Sequence, residues 1–377
     1  MELLPIHTPS GADPHALLTP LAAALAGEGP AVAPHADAGQ SFDGELPNDE
    51  IAAVLSTSGS TGVPKQTMLS VDALAASAMG TALALKAEGQ WLLTLPVHYV
   101  AGLQVLVRSL YAGTRPWTMD LAAPFTAGAF TEAAGELTDK VRFTSLVPTQ
   151  LHRLLQDPRP ETLQVLRRFN AILLGGAPAS ATLLSDARRH GLNLVLTYGM
   201  SETCGGCVYD GVPLDGVDVT TEEGRLWISG PVLADGYLGQ PELSADRFAF
   251  NSGRRWFRTD DAGDVTDGVL TVAGRLDDVI VTGGLKVSAA AVASAIEGMP
   301  GVQEALVLGI DSAEWGTAVA AAVVGQVSAD EVRQQTRASL GAHAAPHIVV
   351  ALASLPLLPN GKPDRLAVRA LLERSDA

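Results

Sequence analysis

The sequence predicts an α/β protein: a large N-terminal domain of α/β subdomains plus a small β unit, followed by a small mobile α+β domain. Three observations carry this expectation. Apolar runs alternate with helix-like stretches along most of the chain, as parallel strands joined by helices require. From about Gly224 the texture changes to short β runs punctuated by Gly and Asp. At GRLDDVIVTGG, residues 274–284, charged residues and glycines break the pattern and leave about a hundred residues, enough for one small domain. The division therefore falls between residues 1–275 and 276–377. With 377 residues and 47% hydrophobic content the chain can bury a large core, and its length favours two or three domains.

Taken in order, VRFTSLV from Val141 has the composition of a buried strand, and PTQLHRLL that of the helix it feeds. AILL from Ala171 is a second strand, SATLLSDARRHG a helix closed by Gly191, and LNLVLTYG a third strand. GRLWISG and GVLTVAG are short strands of the β unit. In the last hundred or so residues, SAAAVASAIEGM and SADEVRQQTRASLG read as helices, the second with Ser328 and Glu331 spaced for a capping box. ALVLGI, AVAAAVV and HIVVALASL read as strands.

Charge narrows the function. Asp and Glu total 41 against 25 Lys and Arg, a formal charge of -16, so nothing directs the chain to nucleic acid or an anionic membrane. A polyanionic ligand would need local positive charge. Of the five lysines, Lys65, Lys286 and Lys362 fall in glycine-containing segments, while Lys86 and Lys140 do not. The N-terminus lacks the basic end and apolar stretch of a secretory signal, and no run approaches the roughly 18 apolar residues of a membrane span. A soluble cytoplasmic protein is expected. Cys204 and Cys207 stand in a single C-G-G-C stretch; without a second pair or a suitably spaced His, two small residues in a loop are expected in preference to a metal or redox site.

The densest cluster of small donors is TSGSTGVPK, residues 57–65, directly after the apolar run IAAVL. Glycine lets the backbone approach closely, and successive N–H groups with Ser and Thr hydroxyls can surround a phosphate. It does not have the G-x-x-x-x-G-K-[ST] pattern of the NTPase P-loop. Six further segments follow: LPVHYVAG (95–102), LLGGAP (173–178), TYGMSET (197–203), FRTDD (257–261), GRLDDVIVTGG (274–284) and PNGKPDR (359–365).

In this order the seven segments resemble those of the acyl-adenylate-forming superfamily, which includes acyl- and aryl-CoA ligases, peptide-synthetase adenylation domains and luciferases. The resemblance covers nearly the whole chain from about Ile51. Members usually have many more residues before the glycine loop than the 56 here, so a compact branch is indicated. Through LPVHYVAGLQVLVRSLYAG and VIVTGGLKVS the chain is similar to the short o-succinylbenzoate–CoA ligases of menaquinone biosynthesis. The resemblance implies ATP, Mg2+ and coenzyme A as the co-substrates and metal, with a small carboxylic acid as the partner. Another aryl- or acyl-CoA ligase and an adenylation protein loading a carrier thiol remain open, as does oligomeric state, a homodimer included; the presence of Lys362 and Glu202 argues against a non-enzymatic nucleotide binder.

Carried over residue by residue, the resemblance implies that Thr57, Ser58, Gly59, Ser60, Thr61, Gly62 and Lys65 hold the β- and γ-phosphates. Glu202, with Thr57, would ligate Mg2+. Tyr198 and Gly199, with the turn Gly175, Gly176, Ala177 and Pro178, would enclose adenine, and Ser201 would lie near the α-phosphate. Asp261 matches the ribose-binding aspartate, with Arg275 assisting; the family usually has Gly where Asp260 stands, which puts the loop shape there in question. Lys362 and Glu202 are the implied catalytic residues, Lys362 as the mobile cation on the α-phosphate. Asp277 matches the hinge, and Gly283, Gly284 and Lys286 would face CoA. Either His98 or Tyr99, in reversed order relative to the family's aromatic–His pair, would gate an acid pocket that Met200 also borders. Because o-succinylbenzoate keeps a second carboxylate, a cation is expected in that pocket, and Arg108 in LQVLVRSL is the candidate, against a structurally paired or exposed Arg.

Overall fold

Strands that read as continuous apolar runs are buried on both faces, and they build two sheets in the N-terminal part. The computed structural model describes residues 2–9, 13–57, 65–312, 315–358 and 361–375. In the first sheet Leu3–His7, Ala31–His35 and Ile51–Thr57 run parallel, and Lys65–Ser70 and Gly236–Tyr237 complete it in antiparallel pairings. The second has seven strands in the order Val212–Pro213, Gly205–Tyr209, Leu194–Met200, Ala171–Gly175, Arg142–Leu146, Gln90–Leu93, Trp117–Thr118, the last five parallel. Every residue of Ala31–His35 and of Arg142–Leu146 is buried, as expected of strands covered on both sides.

The two faces of the second sheet can be followed along Ala171–Gly175. Ala171 and Leu173 join a core shared with the helices Val71–Leu85 and Val100–Tyr111 and with Leu55 and Leu69 of the first sheet. Ile172 and Leu174 point the other way, against Leu151, Leu154, Leu166 and Leu183 of three outer helices, Pro148–Leu155, Pro160–Leu166 and Ala181–Arg189. The last of these ends as its sequence indicates, with Gly191 at φ +70 and its N–H on the Arg188 carbonyl.

A third, antiparallel sheet of Asp218–Glu222, Arg225–Ser229, Arg254–Thr266 and Phe248–Asn251, with Val269–Arg275 paired to Arg254–Thr266, forms the β unit. Its Leu226, Ile228, Phe257 and Leu270 merge into the first core. From Ile280 onward the packing is separate. Val302–Ser312, Gly316–Gly325 and Ile348–Leu352 form a three-stranded sheet, with Ala289–Glu297 and Ala329–Leu340 on one face and Arg365–Arg374 on the other. AVAAAVV is a strand despite the helix propensity of Ala because alternate residues are buried on opposite faces. The capping box forms: Ser328 Oγ accepts from Glu331 N at 3.3 Å and Glu331 Oε2 from Ser328 N at 2.8 Å.

One expectation is corrected. Cys204 and Cys207 are not loop residues: Cys204 ends a 3-10 turn at φ +50 and Cys207 is inside the strand Gly205–Tyr209. Both are free and fully buried, and burial pushes the Cys207 thiol up to about 12. The small residues serve a tight hairpin between two core strands.

Glu297 supplies a pH-dependent term in stability. It is half-buried at the end of Ala289–Glu297, accepts the Ala305 N–H at 3.2 Å, and burial raises its carboxyl to about 7. The folded state therefore holds this proton more tightly than the unfolded one, so stability is full below the ordinary 4.5 and falls as pH rises toward 7. Glu297→Gln keeps the acceptor and is expected to stabilise the protein by about 1–2 kcal/mol at pH 8 but not at pH 4.5, after discounting for partial solvent screening. Denaturant melts at the two pH values check this; equal shifts at both would contradict it.

Candidate active site

The parallel strands of each sheet place the loops after their C-terminal ends along one edge, where ligands of open α/β sheets bind. Thr57 and Lys65 are paired across adjacent strands, which pins the two ends of the TSGSTGVPK segment side by side. Ser58, Gly59, Ser60, Thr61 and Gly62 themselves lie outside the described residues. The Lys65 ammonium is 5.6 Å from the centre of the Tyr237 ring, and the buried Tyr237 donates its hydroxyl to Glu202 at 2.8 Å. One phenol thus positions a cation of the first sheet beside a carboxylate of the second. Nothing in the local sequence pattern announced Tyr237, because its partner is 35 positions away.

Glu202 lies in the turn Ser201–Thr203 that follows Leu194–Met200, with Ser201 buried and Met200 half-buried beside it. Its backbone carbonyl accepts from Ala234 at 2.9 Å, so the turn is held from below. On the same strand Tyr198 donates to Asp261 at 2.6 Å, joining the second sheet to the third. Burial, followed by the Asp261 charge, pushes the Tyr198 phenol above its ordinary range, so it remains a donor. Gly199 is required by the hairpin: a Cβ there would collide with the backbone of Gly205.

Asp261 and Arg275 stand opposite each other in register. Asp260 and Asp261 lie within the strand Arg254–Thr266 rather than in a separate loop, at a bulge where its register with Arg225–Ser229 shifts. Asp260 pairs with Arg247 at 2.5 Å and lies 3.5 Å from Arg225 and 3.8 Å from Arg275. Burial raises the Asp260 carboxyl, but the Arg247 hydrogen bond and the charges of Arg247, Arg275 and Lys65 hold it below its ordinary value. Asp260 is therefore an anchor for arginines rather than a turn residue.

Lys362 reaches this group from the C-terminal part. Its aliphatic end packs over the turn Gly175, Gly176, Ala177, Pro178, where a Cβ on Gly176 would stand 3.2 Å from Lys362 Cε. The residue as a whole is exposed, yet desolvation where its side chain packs and then the Arg275 charge lower its amine below the usual lysine range, with Asp261 offsetting part of the effect. Lys65, Arg275 and Lys362 thus bring positive charge from three parts of an acidic chain to one edge. Among the described residues no group of three or more His, Cys, Asp or Glu is arranged to hold a metal. A hard cation here would depend on the Glu202 carboxylate, the Thr57 hydroxyl and oxygens of a phosphate ligand, a donor set that suits Mg2+.

His98, Tyr99 and Arg108 form a separate group along the helix Val100–Tyr111. His98 is buried, with its ring 4.4 Å from that of Tyr99 and no partner on Nδ1; burial lowers its pKa. Arg108 is 6% exposed, which removes the reading of a surface arginine. Its contacts are a 3.4 Å hydrogen bond to the Tyr209 hydroxyl and the Trp91 ring at 5.0 Å, and Nε has no partner. No ion pair to Arg108 occurs among the described residues. Gln104, one turn earlier, donates to the Cys204 carbonyl at 2.7 Å and leaves Oε1 unpartnered. Gly283 and Gly284 form the tip of the hairpin Val279–Thr282/Leu285–Ser288, with Lys286 exposed on its second strand. The Gly283 N–H bonds to Trp315, not to the nucleotide-side residues. Asp277 lies in the short turn Leu276–Asp278 between the third sheet and that hairpin.

The family model for AMP-binding enzymes matches residues 17–238, and that for the AMP-binding enzyme C-terminal domain matches residues 291–362. The chain belongs to the AMP-binding enzyme family. The adenylate-forming reading of the seven segments is borne out at that level. Among relatives of this AMP-binding enzyme is a probable 2-succinylbenzoate–CoA ligase of Mycobacterium tuberculosis, 39% identical over 377 residues that cover 96% of this chain and 97% of the relative. A 2-succinylbenzoate–CoA ligase of Salmonella typhimurium is 31% identical over 69% of this chain and 55% of its own length. Among solved structures, o-succinylbenzoate CoA synthetase (MenE) from Bacillus subtilis in complex with the acyl-adenylate intermediate OSB-AMP aligns with a TM-score of 0.72 at 28% identity, covering 85% of this chain and 69% of that one. ATP-bound MatB from Rhodopseudomonas palustris aligns with a TM-score of 0.74 at 26% identity, covering 89% and 70%.

Proposed function

We propose that this chain is an ATP-dependent 2-succinylbenzoate–CoA ligase that forms an acyl-adenylate and transfers the acyl group to CoA, in the cytoplasm and in the service of menaquinone synthesis. The observation that carries the choice of acid is the buried, incompletely satisfied guanidinium of Arg108, in a chain so similar along its length to a probable ligase of that acid. A buried arginine served by one long bond to a phenol is costly, and a substrate carboxylate would satisfy it. Arg108 lies eight residues into the helix that begins after His98 and Tyr99, about 12 Å along its axis. The gating residues and the second-carboxylate site are thus at different depths.

In the first half-reaction the carboxylate oxygen bonds to the α-phosphorus of ATP while the bond to pyrophosphate breaks. Lys65 and the TSGSTGVPK backbone would take the β- and γ-phosphates, Tyr198 and the Gly175 to Pro178 turn would flank adenine, and Asp261 would accept from ribose with Arg275 beside it. Glu202 and Thr57 would hold Mg2+, which when bound neutralises phosphate charge. Lys362 Nζ would stabilise the charge that builds at the α-phosphate, and a cation positioned beforehand favours the transition state over the ground state. In the second half-reaction the CoA thiol attacks the acyl carbon, AMP leaves and a proton is released. We take residues 276–377 as a domain that turns at Asp277 between the two steps, moving Lys362 out and the Gly283, Gly284 and Lys286 hairpin in.

Release of AMP that depends on CoA distinguishes this function from loading of a carrier protein. The identity of the acid is tested at Arg108. Arg108→Ala is expected to lower kcat/KM for 2-succinylbenzoate by the equivalent of about 2–3 kcal/mol, and that for an analogue lacking the ring carboxylate much less. Equal losses for both acids would make Arg108 a structural residue and favour another aryl- or acyl-CoA ligase. Asp277→Pro, which fixes φ, is expected to spare pyrophosphate release and slow thioester formation from supplied acyl-adenylate; an unaffected second step would remove the hinge.

A further inference from the structure

We propose that Thr149 is a positioning residue that latches the Lys362 loop over the active-site edge during adenylation. Its Oγ1 donates to the Gly361 carbonyl at 2.7 Å, a hydrogen bond between residues 212 positions apart that joins the large N-terminal part to the C-terminal part. The inference rests on the reading of Lys362 as the adenylation lysine and adds the group that holds it there.

The large-domain side of the latch is rigid. Thr149 is in the first turn of Pro148–Leu155, immediately beyond the buried strand Arg142–Leu146. Its neighbour Gln150 is buried and fixed at both ends, accepting from Val147 N at 3.1 Å and donating to the Thr94 carbonyl at 3.0 Å. Beyond the first turn of its helices, Thr hydroxyls of this chain bond back to their own helix: Thr81 to Ser77, Thr131 to Ala127 and Thr336 to Val332. Thr149 stands in the first turn, where residue i−4 is Ser145 of the strand Arg142–Leu146 rather than of the helix, so no such back-bond is offered. The Thr149 hydroxyl is directed across the gap instead.

The tail side is shaped to meet it. Gly361 has φ +77, and a Cβ there would stand 2.9 Å from Val147 Cγ2 and 3.4 Å from Thr149 Oγ1, so a side chain would hold the two parts apart. Leu358 donates to the Lys362 carbonyl and Gly361 to the Leu358 carbonyl, both at 2.8 Å, which ties Gly361 and Lys362 to Leu358. The latched carbonyl belongs to the peptide unit that leads into Lys362. Fixing Gly361 therefore fixes the start of the lysine side chain, whose far end must sit beside Arg275 against charge repulsion. A single neutral hydrogen bond shifts such an equilibrium by about 3- to 10-fold. That is enough to favour the docked place and small enough to release it for the second half-reaction.

The test uses Thr149→Val, which keeps shape and loses the donor, and Thr149→Ser, which keeps the donor. Because both native cysteines are buried, spin labels on K140C and E373C, both at exposed positions, report the distance between the two parts in the full chain without reference to any acid. With ATP and Mg2+ present, Thr149→Val is expected to raise the ratio of undocked to docked distances about 3- to 10-fold, and Thr149→Ser to leave it as in the parent. Pyrophosphate release from ATP in the presence of 2-succinylbenzoate should fall in kcat in proportion to the docked fraction that is lost, with little change in KM for ATP, while thioester formation from supplied acyl-adenylate holds or quickens. Identical distance distributions in the parent and Thr149→Val, or equal loss of both half-reactions, would overturn the latch. A parent protein that releases no pyrophosphate with 2-succinylbenzoate would remove the choice of acid, and the distance measurement would still decide the latch.

Discussion

Positive charge held at one edge of an acidic chain is the constraint on which the rest of the structure depends. Lys65 comes from the first sheet, Arg275 from the third and Lys362 from beyond the turn at Asp277, in a chain of formal charge -16. Like charges brought together in a cleft repel more strongly than they would in water. The protein answers with neighbours that hold each cation without neutralising it fully. Tyr237 lies under Lys65, Asp260 is shared among three arginines, and Asp261 is already engaged by Tyr198. In the proposed reaction a polyphosphate would bring anionic charge to this edge, and interactions with it would strengthen as substrate charge moves.

The architecture follows from that constraint. Three sheets deliver strand ends and loop residues to one edge, and the core beneath is continuous between the first two sheets through Leu55, Leu93, Leu103 and Leu173. The third sheet is tied in by Leu226, Ile228 and Phe257. Against this base the C-terminal part, with its own two packed faces, brings Lys362 to the same edge. Thr149 and Gly361 set how firmly it stays.

Much of this was legible in the sequence because the information is local. Ala171 to Leu174 is apolar at every position, and such a run without alternation means cover on both faces. Ser328 and Glu331 announced a helix start three residues apart, and Gly191 its end. Of the site, the residue types of TYGMSET, FRTDD and PNGKPDR could be read, and the contacts Tyr198–Asp261 and Lys362–Gly176 place them together. The parts that could not be read are side-chain bonds between distant segments. Tyr237 has no pattern that points to Glu202, and Thr149 none that points to Gly361. Arg108 in an apolar helix could be exposed, paired or left waiting, and only its burial beside Tyr209 separates the three. The C-G-G-C stretch misled for the opposite reason: small residues suit a loop and a tight hairpin equally.

The most direct test is the titration of the Lys362 amine itself. With only five lysines, NMR of the protein labelled at lysine can follow each amine separately, with Lys362→Arg assigning the signal. If Lys362 stands beside Arg275 against the Gly175 to Pro178 turn, it titrates below the 10.5 of an ordinary lysine in the free protein and moves upward when ATP and Mg2+ are added. An amine at the ordinary value in both states, unmoved by the nucleotide, would contradict the placement of Lys362 at the reacting phosphate.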